Sequence, residues 1–300
     1  MQHPMTASEQ PEEVAASSIT AEMVREFIPP RKERARKGAN GKVLVVGGSH
    51  IYHGAPILAS MAALRSGSDL VYTAVPSTCV QPARSTSPDL IVIPLADQKL
   101  TRGAVRKLLG MIPKDLDSAT IGMGLAVADP AALNILVRSL LDRDVRLALD
   151  ASALTKSILP SLADKNVVLT PHAGEFARMF GEVPPDGVGP RIHMVREYAA
   201  QYGVTILLKG PADVVCGNGT YVFAKCAPAM TVGGTGDVLS GLVAGLLSRN
   251  PNATEAAAAA AFINGTAGLQ VQERLGFHIS PTDIIGVLPQ VMREFDRLEQ

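Results

Sequence analysis

Thr231-Val232-Gly233-Gly234-Thr235-Gly236-Asp237-Val238-Leu239-Ser240-Gly241 is the segment on which the reading of the fold turns. Three of its glycines, Gly233, Gly234 and Gly236, fall within four residues. Each disfavours a regular element by about 1 kcal/mol relative to alanine, so the stretch reads as a turn. The residues that follow, Val238 to Leu247, have helical spacing, which puts that turn at a helix N-terminus. There the unbonded amides and the positive end of the helix dipole suit phosphate oxygens. Asp237 then has two readings: an N-cap of the helix, or a carboxylate beside a bound phosphate, placed to take a proton from a substrate.

Upstream of this turn the chain alternates short β-branched runs with Ala- and Leu-rich helical stretches. Candidate strands are Lys42–Val46, Asp69–Val75, Leu90–Ile93, Ala119–Ile121, Arg146–Leu149, Val167–Leu169 and Val204–Leu208, with helices over 54–66, 100–110, 129–141, 173–180 and 189–202. Nearly continuous apolar strands alternating with helices imply a mostly parallel sheet flanked by helices on both faces, with ligands beyond the strands' carboxyl ends. After residue 204 the pattern changes. Asp213–Cys216 and Tyr221–Ala224, joined through Gly217-Asn218-Gly219, predict a hairpin and an antiparallel edge. Helices over 236–248, 254–275 and 281–298 complete the chain.

The 300 residues are 47% hydrophobic and 19% charged, enough for a substantial core. Lys plus Arg and Asp plus Glu both number 28, so no global basic field gathers nucleic acid or an anionic membrane. Cys79, Cys216 and Cys226 are an odd number without CxxC spacing, which argues against a disulfide framework or a zinc site and fits a reducing cytoplasm. There is no apolar run of membrane-spanning length and no secretory signal core. Residues 1–36 read as a polar tail, frayed to about residue 18, then a short helix capped by Thr20 and ended by Pro29-Pro30. The basic stretch Arg31 to Lys37 reads as a solvated connector, with attraction of a phosphate as the alternative. His50 and His53 lack a third ligand, so the sequence names no metal site.

Gly-Gly-Thr-Gly-Asp opening a late helix resembles the anion hole and catalytic Asp of the ribokinase-like superfamily. Further segments resemble its ADP-dependent NAD(P)H-hydrate dehydratase branch: Lys37-Gly38, Val45-Val46-Gly47-Gly48-Ser49, Gly54-Ala55-Pro56, Arg65-Ser66-Gly67, Gly122-Met123-Gly124, Leu149-Asp150-Ala151, Thr170-Pro171-His172-Ala173-Gly174-Glu175 and Leu208-Lys209-Gly210, in the family's order from about residue 37 onward. Met123 stands where the family usually has proline, and Ala173 replaces the proline of its Thr-Pro-His-Pro-Gly-Glu.

That resemblance implies a ribokinase-like domain over 37–300 and dehydration of the S epimer of NADHX or NADPHX, coupled to conversion of ADP to AMP and phosphate. It implies Asp237 as catalytic base; Ala55, Gly124, His172 and Asp237 as substrate contacts; and Lys209, Gly210, Pro211, Ala212, Asp213 and Gly236 around the AMP portion of ADP. Gly234, Thr235 and Gly236 would form the anion hole. Mg²⁺ on the phosphates, with Glu175 an indirect contact, and a homotetramer are further expectations. About 36 residues precede the matching region, too few for the epimerase domain that many relatives carry, so a separate epimerase is the expected partner. The alternative is an ATP-dependent kinase of the same superfamily acting on a vitamin precursor or sugar alcohol.

Overall fold

The computed structural model describes residues 16–224 and 227–299. The predicted tail as far as residue 15, and Cys226, lie outside the described residues. Along the chain the strands are β1 (Ser17–Ser18), β2 (Arg31–Lys32), β3 (Lys42–Val46), β4 (Leu70–Pro76), β5 (Ile91–Leu95), β6 (Ser118–Ile121), β7 (Arg146–Leu149), β8 (Val167–Leu169), β9 (Thr205–Leu208), β10 (Ala212–Gly217), β11 (Gly219–Ala224) and β12 (Leu298–Glu299). The helices are α1 (Ala21–Phe27), α2 (Gly54–Arg65), α3 (Val80–Thr86), α4 (Arg102–Met111), α5 (Pro130–Leu141), α6 (Ala173–Phe180), α7 (Val188–Tyr202), α8 (Thr235–Leu247), α9 (Ala253–Leu275) and α10 (Pro281–Arg293).

Ten strands form one sheet in the order β1-β11-β10-β9-β8-β7-β6-β3-β4-β5. From β9 to β5 every pairing is parallel, while β10 runs antiparallel to both β9 and β11. β3 shows why the run Val43-Leu44-Val45-Val46 forms a central strand: all four side chains are buried, with Val43 and Val45 in one core and Leu44 and Val46 in the other. A strand buried on both faces has no polar side to alternate with. The first core holds α2, α8, α9 and α10; the second holds α4, α5, α6 and α7.

The starts and stops of the helices follow local chemistry. Thr20, Thr101 and Asn252 cap α1, α4 and α9 through their side chains, and Asp129 caps α5 ahead of Pro130. The alanines 256–261 of α9 are all buried, so that helix lies close against its neighbours. α8 is tighter still: a Cβ on Gly241 would run into the backbone carbonyl of Ala59 in α2. Gly241→Val is therefore expected to destabilise the fold by about 3 kcal/mol or more, since overpacking against backbone forces α2 and α8 apart. Urea unfolding of the variant beside the wild type checks it.

Four features depart from the sequence reading. Ser17 and Ser18, within the predicted frayed tail, pair in parallel with Tyr221 and Val222 and add an edge strand outside the hairpin. The segment after β4 carries a 3₁₀ turn at Ser77–Cys79 and then α3, which Pro82 and a Ser/Thr-rich composition hide from a periodicity reading. α10 stops at Arg293 rather than reaching 298, because Leu298 and Glu299 pair with Arg31 and Lys32 in a separate two-stranded sheet. The start of the predicted basic connector is thus ordered backbone: the Arg31 guanidinium donates to the Gly67 carbonyl and lies 3.9 Å from Asp69. It sits where α8 ends, not where α8 begins, so it does not serve the glycine-rich turn.

Candidate active site

Gly234 initiates α8 in the left-handed conformation, φ +100°, and a Cβ there would press on Pro281 and on Leu58 of α2. Both restrictions select glycine. The first hydrogen bond in the helix runs from Val238 N–H to Gly234 O at 3.1 Å, so the amides of Thr235, Gly236 and Asp237 lie ahead of the helical ladder. The Thr235 hydroxyl donates to the carbonyls of Met230, at 2.9 Å, and Val232, at 3.2 Å. Among the three residues predicted to form an anion hole, Thr235 thus offers its amide, while its side chain ties down the preceding loop.

Facing this turn are residues from the carboxyl ends of β7, β8 and β9. Asp150, buried after β7, accepts from the Lys209 ammonium at 2.9 Å and from the Thr170 hydroxyl at 2.9 Å. Although Asp150 precedes a 3₁₀ turn, its side chain makes no capping bond, which corrects the simplest sequence reading of it. Lys209 also reaches Glu175 at 3.5 Å. Burial lowers the Lys209 pKa, and the Asp150 and Glu175 carboxylates more than offset this, leaving a firmly protonated ammonium between two carboxylates.

Glu175 and His172 form a reciprocal cap at the start of α6. Glu175 Oε2 accepts from the His172 amide at 2.9 Å, and His172 Nδ1 accepts from the amides of Gly174, at 3.0 Å, and Glu175, at 3.3 Å. The cap consumes Nδ1, and Nε2 lies 3.6 Å from Glu175 Oε1; the ring is 60% exposed. Asp237, in the first turn of α8, is partly buried. Desolvation, reinforced by Asp150 and Glu175 and only partly relieved by Lys209, pushes its pKa up to about 7. A carboxylate poised there exchanges protons readily near neutrality.

On one side of the turn opens a cavity of about 840 Å³. It is lined by His172, by Lys209, Gly210, Pro211 and Ala212 of the predicted nucleotide run, and by Thr235 and Gly236. The Lys209 ammonium lies 3.5 Å from where a Gly236 Cβ would be. Asp213, predicted with this run, is not on the lining: it is fully buried, and its Oδ1 accepts from the Gly210 amide at 3.1 Å, shaping the loop from behind. His172, predicted as a substrate contact, shares the wall with the nucleotide residues. Sequence reasoning missed Val188, Met230, Leu239 and Asn264, which also line the cavity. For Asn264 a signal was present, a lone amide one turn beyond a run of buried alanines.

Gly124 (φ +62°) sits against the start of α2. A Cβ there would lie 2.7 Å from Tyr52 Cβ and 3.1 Å from Ala55 Cβ. The structure thus brings the predicted substrate residues Ala55 and Gly124 together, and Leu58, one turn along α2 from Ala55, abuts Gly234. Asp237 itself lies within electrostatic reach of Asp150, Lys209 and Glu175.

The model of the NAD(P)H-hydrate dehydratase family matches residues 43–290. The chain belongs to this family. It is 62% identical over 286 residues to a protein of Nitrosopumilus maritimus named ADP-dependent (S)-NAD(P)H-hydrate dehydratase, covering 95% of this chain and 100% of that one. A protein of Cenarchaeum symbiosum with the same name is 60% identical, again over 95% of this chain and 100% of its own length. The bifunctional NAD(P)H-hydrate repair enzyme of Pyrobaculum aerophilum is 43% identical over 88% of this chain and 53% of its own. Among solved structures, the ADP/ATP-dependent NAD(P)H-hydrate dehydratase of Bacillus subtilis, co-crystallised with ATP and Mg²⁺, superposes with a TM-score of 0.79 at 26% identity, covering 94% of this chain and 100% of that one. The hydroxyethylthiazole kinase of Pyrococcus horikoshii, at 14% identity and a TM-score of 0.60 over 92% of this chain and 93% of its own, shares the ribokinase-like fold.

Proposed function

We propose that this member of the dehydratase family returns the S epimer of hydrated NADH or NADPH to the reduced nucleotide while converting ADP to AMP and phosphate. The observation that carries the reading is Asp237, with a pKa near 7, in the same helical turn as three amides ahead of the helix ladder and opposite the Lys209 ammonium. The hydrated ring would lie against Ala55 and Gly124 with its hydroxyl at Asp237. The AMP part of ADP would fill the cavity along Lys209 to Ala212 and Gly236, with Asp213 holding that loop, and the exposed His172 ring would meet the substrate.

The chemistry follows from that placement. Asp237 takes the hydroxyl proton, and the freed oxygen attacks the β-phosphorus of ADP, breaking the bond that joins it to the AMP oxygen. AMP departs. The phosphorylated ring carbon then loses phosphate, pushed by the ring nitrogen's electron pair, and loss of a ring proton restores the double bond of the reduced nicotinamide. Amides of Gly234 to Gly236 and the Lys209 ammonium stabilise charge on the transferring group. Among the described residues no group of three His, Cys, Asp or Glu is placed to hold a metal ion. A Mg²⁺ on the nucleotide's phosphates, with Glu175 as an indirect contact, would supply charge neutralisation there.

Assembly as a homotetramer in the cytoplasm, with a separate epimerase handling the R form, completes the reading. Among the described residues no helix is long and apolar enough to cross a membrane. To test the function, the purified protein is offered ADP or ATP with hydrated NADH and, in parallel, with thiazole and pyrimidine alcohols. Consumption of ADP only with hydrated NADH is the expected result. ATP-dependent phosphorylation of an alcohol without dehydration would assign the chain to the kinases instead.

A further inference from the structure

Asn264 lies on α9 and is 1% exposed. Its Oδ1 is enclosed and has no hydrogen-bond partner among the described residues. A buried amide oxygen left unbonded is costly in any fold, and most such groups find a partner. Here the partner has somewhere to come from, because Asn264 forms part of the wall of the cavity that begins at Lys209.

The surroundings define what that partner is. Pro211, Ala212, Ala227, Met230 and Leu239 line the same cavity and make it apolar. Gly268, one turn after Asn264, has Met230 directly against its Cα: a Cβ there would collide with the Met230 sulfur. That seats Met230 over α9 as an apolar wall beside the amide. Lys209 and Gly236, proposed above to face the phosphates, line the same cavity and lie close to each other. An apolar cavity with one amide and one ammonium on its wall matches a purine base joined to a diphosphate. The 6-amino group of adenine is a hydrogen-bond donor flanked by ring-nitrogen acceptors, and a carboxamide pairs with such an edge through its oxygen and its NH₂.

We infer that Asn264 is the base-selecting residue of the nucleotide site, its carboxamide receiving the 6-amino edge of adenine. This rests on the nucleotide reading given above but not on the dehydration, and the test separates the two. Binding of ADP and of purine riboside 5′-diphosphate, which lacks the 6-amino group, is measured by calorimetry on the wild type and on Asn264→Leu. The wild type is expected to prefer ADP by about tenfold, the worth of one hydrogen bond with a buried partner. The leucine variant should bind both equally, with ADP weakened and purine riboside diphosphate unchanged. Leucine also removes the enclosed, unbonded oxygen at nearly constant volume, so the melting temperature of the nucleotide-free variant should equal or exceed that of the wild type. That readout shows the variant to be folded and opposes a merely structural role. An ADP preference that survives in Asn264→Leu, or a wild type with no preference, overturns the inference. If the preference behaves as described but hydrated NADH is not restored, the dehydration fails while the base assignment stands. As a second variant, Asn264→Gln should keep a preference for ADP, since it retains the carboxamide.

Discussion

Asp237→Asn is expected to lower the turnover number by about 10²- to 10⁴-fold, the usual effect of losing a positioned base, while ADP binding changes little. The amide keeps the size of the side chain and the helix turn, but it cannot accept the ring hydroxyl's proton. The pH dependence adds a second signature. With its pKa pushed up to about 7 by burial and by Asp150 and Glu175, Asp237 is largely protonated at pH 6, so wild-type turnover should rise with pH through about 7. The variant's residual rate should lack that limb. Stability moves the opposite way. A carboxyl whose folded pKa lies above its unfolded value of 3.8 favours the folded state at low pH, and this contribution fades as pH rises through about 7. Asp237→Asn removes the charged form, so at pH 8 the variant should melt higher than the wild type. A variant turning over at near the wild-type rate would remove Asp237 from the reaction.

Lys209→Met should have the largest effect on the fold near the site. The ammonium bonds Asp150 at 2.9 Å and lies 3.5 Å from Glu175, and both carboxylates are buried. Removing one partner of a buried ion pair destabilises by about 3 to 5 kcal/mol, because the remaining charge has neither water nor counterion. The Lys209 charge also holds the pKa of Asp237 down, so residual activity in the variant should rise at a higher pH than in the wild type. Urea unfolding, beside a pH–rate profile, measures both. Equal stability of the variant and the wild type would mean that the fold does not depend on this ion pair.

Much of this site was legible in the chain because its chemistry is local. The glycine turn before α8 announces itself through three glycines and a carboxylate within one short stretch, and the strand ends carrying Asp150, Thr170 and Lys209 follow from β-branched runs. What was not legible depends on contacts distant in sequence. Asp150 reads locally as a cap, yet its oxygen is claimed by Thr170 and Lys209 from the ends of β8 and β9. His172 does cap α6, a role its type does not advertise, because imidazole Nδ1 stands where a hydroxyl or carboxylate oxygen usually does. The end of α10 was overrun because the pairing that stops it, with Arg31 and Lys32, lies at the far end of the chain. The cavity wall from Met230, Leu239 and Asn264 belongs to segments that periodicity describes only as core.

The most direct test of the account adds the purified protein, Mg²⁺ and ADP to chemically prepared hydrated NADH, following the return of reduced nicotinamide absorbance and the release of AMP and phosphate. One NADH, one AMP and one phosphate per ADP consumed is the predicted result. ADP cleavage without return of NADH, or return of NADH without ADP cleavage, would contradict it.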